Sequence, residues 1–548
     1  MMEKTMNTYS AINLGPLTST INMARKPREM WAASYLFSYL MQCIVESMPP
    51  AAQLLSPAKV KTGQEGEMSK NDHIRGTGLY PDRAFIKGKI DMENTIDKAW
   101  EQFSSTLVKY GARNVSRDYF NIMHTSCEAE READAIRILN SNMDKMELFC
   151  RAKSESDNKS VSDIVCVEKE SPLYQIAYNT RRHHIPSLGE IAAVSMKPAG
   201  TEKEDEDARK REVWETFVKA LDDDADTDDP YPKAFGSKYK SYLKYVCVVY
   251  VDGDSVGTTV THPELGDGKV AEISQALLRY GEKSVKTITD AGGLPIYAGG
   301  DDLLFIAPVV SADGTDIFGL LDKIRDDFSE VKTIIDRLKL KSGDKEIKAS
   351  LTFGVSVSFY KYPLYEAFST SQNLLFGTAK GFPTKNAVAW RLTKHSGGGF
   401  SGVFSYNDPN LKTAFRNLID ACGSIGPDDR NQSDGTNGTV SSAIHKIREY
   451  DSLLMSVMQT DRTPDTEGKS PRDIRLDSFF SKVLEEKDTP YFAAMKDVMK
   501  ALYDHLAEYA PETNAPQGQE VKKETFIQTL YSLLRTARFI KGEDAKNE

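Results

Sequence analysis

Two glycines and two aspartates, Gly299-Gly300-Asp301-Asp302, interrupt an apolar stretch that covers residues 294–307. Apolar runs on both sides of a short Gly-Asp segment are typical of a β-hairpin whose turn carries the acids. Carboxylates between buried strands are poor core material, and a natural use for them is to hold divalent cations against a polyphosphate. The glycines leave room for a base or a phosphate to approach the chain.

A second acidic turn lies earlier in the chain, where the apolar β-branched run 245–251 ends in Asp252-Gly253-Asp254. Such a run is typical of a strand that is buried on both faces. Residues 270–289 then show helical spacing of apolar side chains. The order strand, acidic turn, helix, hairpin predicts that Asp252 and Asp301 lie side by side on adjacent strands. The alternative is a pair of solvated acidic turns.

Converging carboxylates of this kind suit two-metal phosphoryl transfer, in which one ion activates a hydroxyl and the other neutralises a triphosphate. The turn 253–257 leads toward a predicted helix N-terminus, where free main-chain amides favour phosphate. The predicted metal ligands and catalytic residues are Asp252, Asp301 and Asp302, with Asp254 as a further metal ligand. The predicted nucleotide contacts are Gly253, Ser255, Val256, Gly257, Gly299 and Gly300.

These two turns resemble the palm domain shared by nucleotidyl cyclases, diguanylate cyclases and some polymerases. The chain is more closely similar to the large, polymerase-like subunit of type III CRISPR effector complexes, in the Cmr (III-B) branch. Its segments 14–17 and 24–40, with Ala24-Arg25-Lys26-Pro27-Arg28-Glu29-Met30-Trp31, resemble the opening of that family's first palm-like domain. Segments 351–358 and 394–398 resemble the family's last palm strands.

The resemblance implies an enzyme that uses ATP and two Mg²⁺ or Mn²⁺ ions to make a small adenylate messenger when its complex binds target RNA. The product would be a cyclic oligoadenylate, or AMP joined to another acceptor such as S-adenosylmethionine. The implied partners are the other subunits of a III-B complex, the guide RNA and the target RNA.

Four basic residues are lesser candidates. The resemblance suggests that Lys380 reaches the nucleotide phosphates, although an exposed lysine at a helix end is an equal alternative. Arg25, Lys26 and Arg28 form a basic cluster that could contact RNA phosphates or a partner subunit. A solvated helix face is the alternative for that cluster.

The predicted fold class is α+β, with two ferredoxin-like palm domains, a helical insert and a C-terminal helical bundle. Residues 1–130 are predicted to form a catalytically silent first palm, because they offer no acid pair on a strand-turn hairpin. Residues 131–238 would form a helical, charged linker domain that contains the acidic run 222–229. The second palm would cover 239–404 and the bundle 405–548, with helices over 411–422, 439–458, 474–486, 491–509 and 522–540 and a mobile loop over 423–439.

Composition excludes some function classes. The 548-residue chain has a net charge of −10, which argues against nucleic-acid binding by bulk charge. Its six cysteines are scattered without a Cys-x-x-Cys pair, so we expect no zinc, no disulfide framework and a cytoplasmic location. We expect no membrane partner, because the longest apolar stretch is too short to span one. Many members of the family that the chain resembles carry a nuclease domain marked by a His-Asp dipeptide. This chain has no such dipeptide, so we expect no nuclease domain.

Two other functions remain open at the level of the sequence. The first is a catalytically inactive scaffold whose palm only binds nucleotide or RNA, which the intact acidic turns disfavour. The second is a diguanylate cyclase-like enzyme. Such enzymes usually carry an acidic residue and then an aromatic after Gly-Gly-Asp, whereas this chain has Asp302-Leu303.

Overall fold

The chain divides into two compact units. The first comprises Met1–Ser195, Val246–Thr352 and Tyr360–Ser369, and the second comprises Met196–Tyr245, Phe353–Phe359 and Thr370–Glu548. The four domains predicted from the sequence stay predictions, because two compact units do not show where one fold ends and the next begins. The computed structural model describes residues 6–60, 76–113, 115–148, 154–166, 171–180, 183–197, 205–222, 240–383, 385–395, 397–423, 436–464, 468–484, 490–509 and 521–542.

Some predictions fall outside the described residues. They concern most of the acidic run 222–229, most of the loop 423–439, and Cys150. The other five cysteines are free thiols.

The first unit opens with a four-stranded antiparallel sheet in the order β2-β3-β1-β4. The long strand β1 is central, with Tyr9 opposite Lys87 on one side and opposite Cys127 on the other. Its middle residues are buried, so it forms the floor of the N-terminal core. The strands are β1 (Asn7–Gly15), β2 (Gln53–Ser56), β3 (Arg83–Lys87) and β4 (Asn121–Ala129).

Helices cover this sheet, and the helix Pro27–Glu46 is the most deeply buried of them. Trp31, Leu36 and Leu40 of that helix have no exposed surface, which explains why its sequence is apolar on nearly every side. The helices of this part are α1 (Leu17–Asn22), α2 (Pro27–Glu46), α3 (Met92–Lys109), α4 (Glu132–Glu147), α5 (Glu155–Val165), α6 (Pro172–Tyr178) and α7 (Leu188–Ala192), with 3₁₀ turns at Arg117–Tyr119 and Val194–Met196.

The second part of this unit contains the predicted strand, helix and hairpin, all of which the structure confirms. Strand β7 (Asp302–Pro308) lies between β5 (Tyr245–Asp254) and β6 (Leu294–Gly299) and is antiparallel to both. The connecting helix α10 (Lys269–Asp290) buries one face, which includes Ile273 and Val285. The remaining elements are α9 (Val256–Val260), α11 (Ile317–Asp327), α12 (Ser329–Arg337), β8 (Lys341–Ser342) and β9 (Lys345–Glu346).

The second unit contains a smaller three-stranded arrangement. Strand β10 (Ser350–Phe359), of which this unit holds Phe353–Phe359, runs parallel to β11 (Ala387–Thr393). Strand β12 (Gly399–Ser405) is antiparallel to β11. A parallel pair needs a crossover. It is provided by α13 (Leu364–Gln372), whose residues up to Ser369 belong to the first unit, and by the π-helical segment Asn373–Ala379.

Helices make up the rest of the second unit and confirm the predicted C-terminal bundle. Trp390 of β11 is fully buried, and its Nε1–H donates to Thr536 Oγ1 at 2.9 Å in the last helix. The helix predicted over 439–458 is interrupted at Tyr450. The helices are α8 (Asp205–Asp222), α14 (Pro409–Gly423), α15 (Thr436–Glu449), α16 (Asp451–Met458), α17 (Pro471–Phe479), α18 (Pro490–Tyr509) and α19 (Lys523–Lys541), with 3₁₀ and π-helical segments at Ser241–Lys244 and Phe480–Leu484.

Candidate active site

The hairpin between β6 and β7 has a turn of two residues. Gly299 lies opposite Asp302, so Gly300 and Asp301 alone form the turn. Gly300 has φ +67° and Asp301 has no positive φ, which is the combination of a type II′ turn and favours glycine at the first central position. Asp302 was predicted to lie in the turn, but it is the first residue of β7. The side chain of Asp302 is therefore directed by the pleat of the sheet.

Asp301 packs directly against the end of strand β5. A Cβ built on Gly253 would lie 2.6 Å from Asp301 Cβ and 2.7 Å from Asp301 Oδ2. These distances are well below van der Waals contact, so only glycine at position 253 allows this approach. The two acidic turns lie close together, as predicted, but Asp301 lies in the turn against Gly253 and not on a strand beside Asp252.

Asp252 and Asp302 also lie together. The β5–β7 register pairs Val251 with Leu303, and one step further along both strands comes Asp252 beside Asp302. Burial, and then the charges of Asp301 and Asp252, raise the pKa of Asp302 well above its usual value. The folded chain thus gathers three carboxyl groups whose negative charges oppose one another.

This arrangement fits a divalent cation. Asp302 Oδ1 is buried and has no hydrogen-bond partner, although the residue as a whole is partly exposed. A buried acceptor without a partner is costly, and a cation would satisfy it and offset the repulsion between the acids. Within the described part of the chain, no three His, Cys, Asp or Glu side chains are already arranged as ligands around one point.

Asp254 has a different environment from the other acids. It is 2% exposed, and its Oδ2 accepts hydrogen bonds from Ser350 Oγ at 2.6 Å and from Thr352 Oγ1 at 2.7 Å. These contacts join the end of β5 to the start of β10. One carboxylate oxygen of Asp254 therefore has a structural role, and its predicted contact with metal stays a prediction.

The turn after β5 leads into a helix, as predicted, but the helix has only five residues, Val256–Val260. Ser255 precedes it with φ +67°, a left-handed conformation that is unfavourable for a residue other than glycine. Val256 is buried, whereas Gly257 is exposed and a Cβ there would meet no atom within 4 Å. The predicted nucleotide contacts of this turn stay a prediction.

The predicted basic residues belong to different parts of the molecule. Arg25 and Lys26 are exposed, and their main-chain N–H groups donate to Glu29 Oε2 at the start of helix α2. Arg28 is half-buried. Lys380 lies in the second unit, after the π-helical segment, and is half-buried. Their proposed contacts with nucleotide or RNA are not tested by this geometry.

Four residues near the acids were missed by sequence reasoning. Burial and the charges of the acidic cluster raise the pKa of Tyr250, Tyr280 and Tyr297. The Tyr280 hydroxyl is buried and has no hydrogen-bond partner. Asp82 of the N-terminal part adds its charge to those that raise the pKa of Asp302. Tyr280 continues the apolar stripe of helix α10, so its helical spacing could have predicted that it is buried. Asp82 lies in a loop-rich segment, where no periodic pattern indicates its position.

Comparison with known proteins agrees with this geometry. The family description "Cas10/Cmr2, second palm domain" matches residues 245–389, which contain both acidic turns. The description "CRISPR-associated protein Cmr2, N-terminal" matches residues 9–104. Over these two segments the chain is similar to the Cas10/Cmr2 family. The CRISPR system Cmr subunit Cmr2 of Pyrococcus furiosus is 30% identical over 178 residues.

That alignment covers 28% of this chain and 19% of the Pyrococcus protein, so this chain matches less than a fifth of its relative. Two cryo-EM structures of type III-B Cmr-beta share the fold at 12% identity. For the apo state the TM-score is 0.55, over 99% of this chain and 82% of that chain. For the state bound to cognate target RNA the TM-score is 0.51, over 99% and 84%. The predicted α+β fold with palm domains is confirmed.

No helix among the described residues is long and apolar enough to cross a bilayer. The expected lack of zinc, the expected lack of a nuclease domain and the cytoplasmic location stay predictions.

Proposed function

We propose that this chain is the nucleotidyltransferase subunit of a type III-B CRISPR effector complex and makes a small adenylate from ATP. The observation that carries the proposal is the packing of Asp301 against Gly253, beside the neighbouring residues Asp252 and Asp302. The matches to the two family descriptions support it, as does the fold shared with Cmr-beta.

The three carboxyl groups have the chemistry of metal ligands. Asp252, Asp301 and Asp302 would hold two Mg²⁺ or Mn²⁺ ions, which supply charge for the triphosphate and lower the pKa of a hydroxyl. Asp254 would be a further metal ligand. The Gly299-Gly300 edge would admit the ribose or base of the nucleotide, because a Cβ on Gly300 would meet no atom within 4 Å.

The reaction would transfer an adenylyl group. A 3′-hydroxyl oxygen forms a bond to the α-phosphorus of ATP, the bond from that phosphorus to the bridging oxygen breaks, and pyrophosphate leaves. The hydroxyl proton passes to water. The acceptor is a second nucleotide in a cyclic oligoadenylate, or another small molecule such as S-adenosylmethionine.

The other proposed contacts come from the sequence and its resemblance to the family. The turn residues Gly253, Ser255, Val256 and Gly257 would contact the nucleotide, and Lys380 would reach its phosphates. Arg25, Lys26 and Arg28 would contact RNA or a neighbouring subunit. We propose the subunits of a III-B complex, guide RNA and target RNA as partners, since one Cmr-beta relative was solved bound to cognate target RNA.

The test uses the assembled complex with guide RNA, target RNA, ATP and Mg²⁺, and identifies the products by mass spectrometry. The double variant Asp301→Asn/Asp302→Asn should lower the rate of adenylate formation by about 10²–10³-fold or more, because it removes the charges that balance the triphosphate. Supplying candidate acceptors one at a time would identify the product.

The matched control is Asp327→Asn, which alters another half-buried carboxyl group of the same unit. Asp327 accepts a hydrogen bond from Thr287 Oγ1 at 2.8 Å and has no place in the proposed site. Its variant should keep full activity. Full activity of the double variant would refute the site. Target RNA binding without any nucleotide product from the wild type would favour the scaffold, and a guanylate product would favour the diguanylate cyclase-like enzyme.

A further inference from the structure

The strand that leads into the Gly-Gly-Asp-Asp turn is paired on its outer edge by the N-terminal domain. Residues 76–80, here called the docking segment, run parallel to β6, and Gly78 pairs with Tyr297. The main-chain N–H of Ala298 donates to Gly78 O at 3.0 Å. Ala298 lies three residues before Asp301, so this bond ends close to the acidic turn.

Helix α2 of the N-terminal domain holds the docking segment from the other side. Trp31 Nε1–H donates to Gly76 O at 2.5 Å, and the main-chain N–H of Tyr80 donates to Ser38 Oγ at 2.9 Å. All five residues of the segment are buried. A Cβ on Gly78 would lie only 3.0 Å from Ser38 Cβ, so the segment is fitted closely between α2 and β6.

Trp31 is itself fixed by aromatic packing. It is fully buried, and its ring centroid lies 5.3 Å from that of Tyr35, 5.1 Å from that of Tyr174 and 5.7 Å from that of Tyr178. Tyr178 also donates its hydroxyl to Gly76 O at 3.3 Å. The indole N–H therefore has one orientation, and Gly76 is held where that donor points.

We infer that Trp31 is a positioning residue for the transfer site, acting through the docking segment on strand β6 and the Gly299-Gly300 edge. Without the segment, β6 would be a free edge strand whose outer N–H and C=O groups are unpaired, and a strand with fewer contacts has lower local stability. This inference rests on the proposed function for its kinetic consequence but not for its structural one. The two parts are therefore measured separately.

The variant Trp31→Phe removes the indole donor and retains an aromatic ring. Its matched control is Trp390→Phe. Trp390 lies in the second unit and is as fully buried as Trp31, and this variant also removes one indole hydrogen bond, to Thr536. Hydrogen exchange of the full-length chain, followed by mass spectrometry of the β6 peptide, reports on the bond from Ala298 to Gly78. Exchange there should be at least tenfold faster in Trp31→Phe and unchanged in Trp390→Phe.

The kinetic arm measures adenylate formation by the assembled complex. Trp31→Phe should lower kcat about tenfold with less than a twofold change in the KM for ATP, since the hairpin is less often in its active position. Trp390→Phe should leave both constants unchanged. A milder variant, Tyr178→Phe, removes the other hydrogen bond to Gly76. It should raise the exchange rate of the β6 peptide and lower kcat, each by a smaller factor than Trp31→Phe.

Each outcome decides the inference. Unchanged exchange in the β6 peptide of Trp31→Phe would overturn the structural link. Faster exchange with a wild-type kcat would overturn the positioning role. If the wild-type complex makes no nucleotide product, the proposed function fails, and the exchange arm still decides whether Trp31 holds β6.

Discussion

The contact between Gly253 and Asp301 gives the most direct test of the site. In Gly253→Ala, the new Cβ would lie 2.6 Å from Asp301 Cβ. Carbon atoms in contact normally stay about 3.5–4.0 Å apart, so Asp301 or strand β5 must move by about 1 Å. A displacement of about 1 Å in a reacting group can cost about 100-fold in rate, and overpacking costs about 1–3 kcal/mol of stability. We expect kcat to fall about 100-fold while the chain stays folded.

The assay follows pyrophosphate release by the assembled complex, and urea denaturation of the chain gives its free energy of unfolding. Gly266→Ala is the control, because Gly266 is an exposed glycine of the same unit and a Cβ there would meet no atom within 4 Å. It should leave both quantities unchanged. A Gly253→Ala complex with wild-type kcat would refute the reasoning, because Asp301 would then tolerate displacement and could not be a ligand in the reacting centre.

Three further predictions concern neighbouring features. Thr352→Val removes a hydroxyl that donates to Asp254 and should lower the free energy of unfolding by about 1–3 kcal/mol in urea denaturation. Burial lowers the pKa of His505, whose Nδ1 lies 3.2 Å from Asp408 Oδ2. As the pH drops, the unfolded chain therefore takes up the histidine proton before the folded chain does. The free energy of unfolding should fall as the pH drops below about 6.5. His505→Gln should flatten that dependence in thermal melts, and an unchanged pH profile would contradict it. Mg²⁺ at about 100 times its Kd should stabilise the EDTA-treated wild type by about 2.7 kcal/mol and leave the double aspartate variant unchanged in thermal melts.

Patterns that are local in the sequence predicted the elements of the site well. Strand β5 is a continuous β-branched run, and helix α10 shows apolar residues at helical spacing, so each could be recognised from neighbouring residues. The hairpin had the same advantage, because its two strands are separated by only two residues. Alternation along β5 and β7 then places Asp252 and Asp302 on one face.

The environment of each acid could not be predicted in this way. Nothing in the sequence Asp252-Gly253-Asp254 distinguishes the two acids. In the structure, Asp252 lies beside Asp302, whereas Asp254 is buried and accepts hydrogen bonds from two hydroxyl groups. The partners of Asp254, Ser350 and Thr352, are close to it only because β10 starts where β5 ends. Contacts that depend on the path of the chain leave no local pattern.

The docking segment shows the same limit more sharply. Its link to the site is a hydrogen bond between main-chain atoms, from Ala298 to Gly78, and main-chain atoms are alike at every position of the chain. Sequence reasoning took the N-terminal palm as catalytically silent because it offers no acid pair. A part of the chain without catalytic residues can still support the site. Without the docking segment, the edge of β6 would be unpaired beside the turn that carries Asp301.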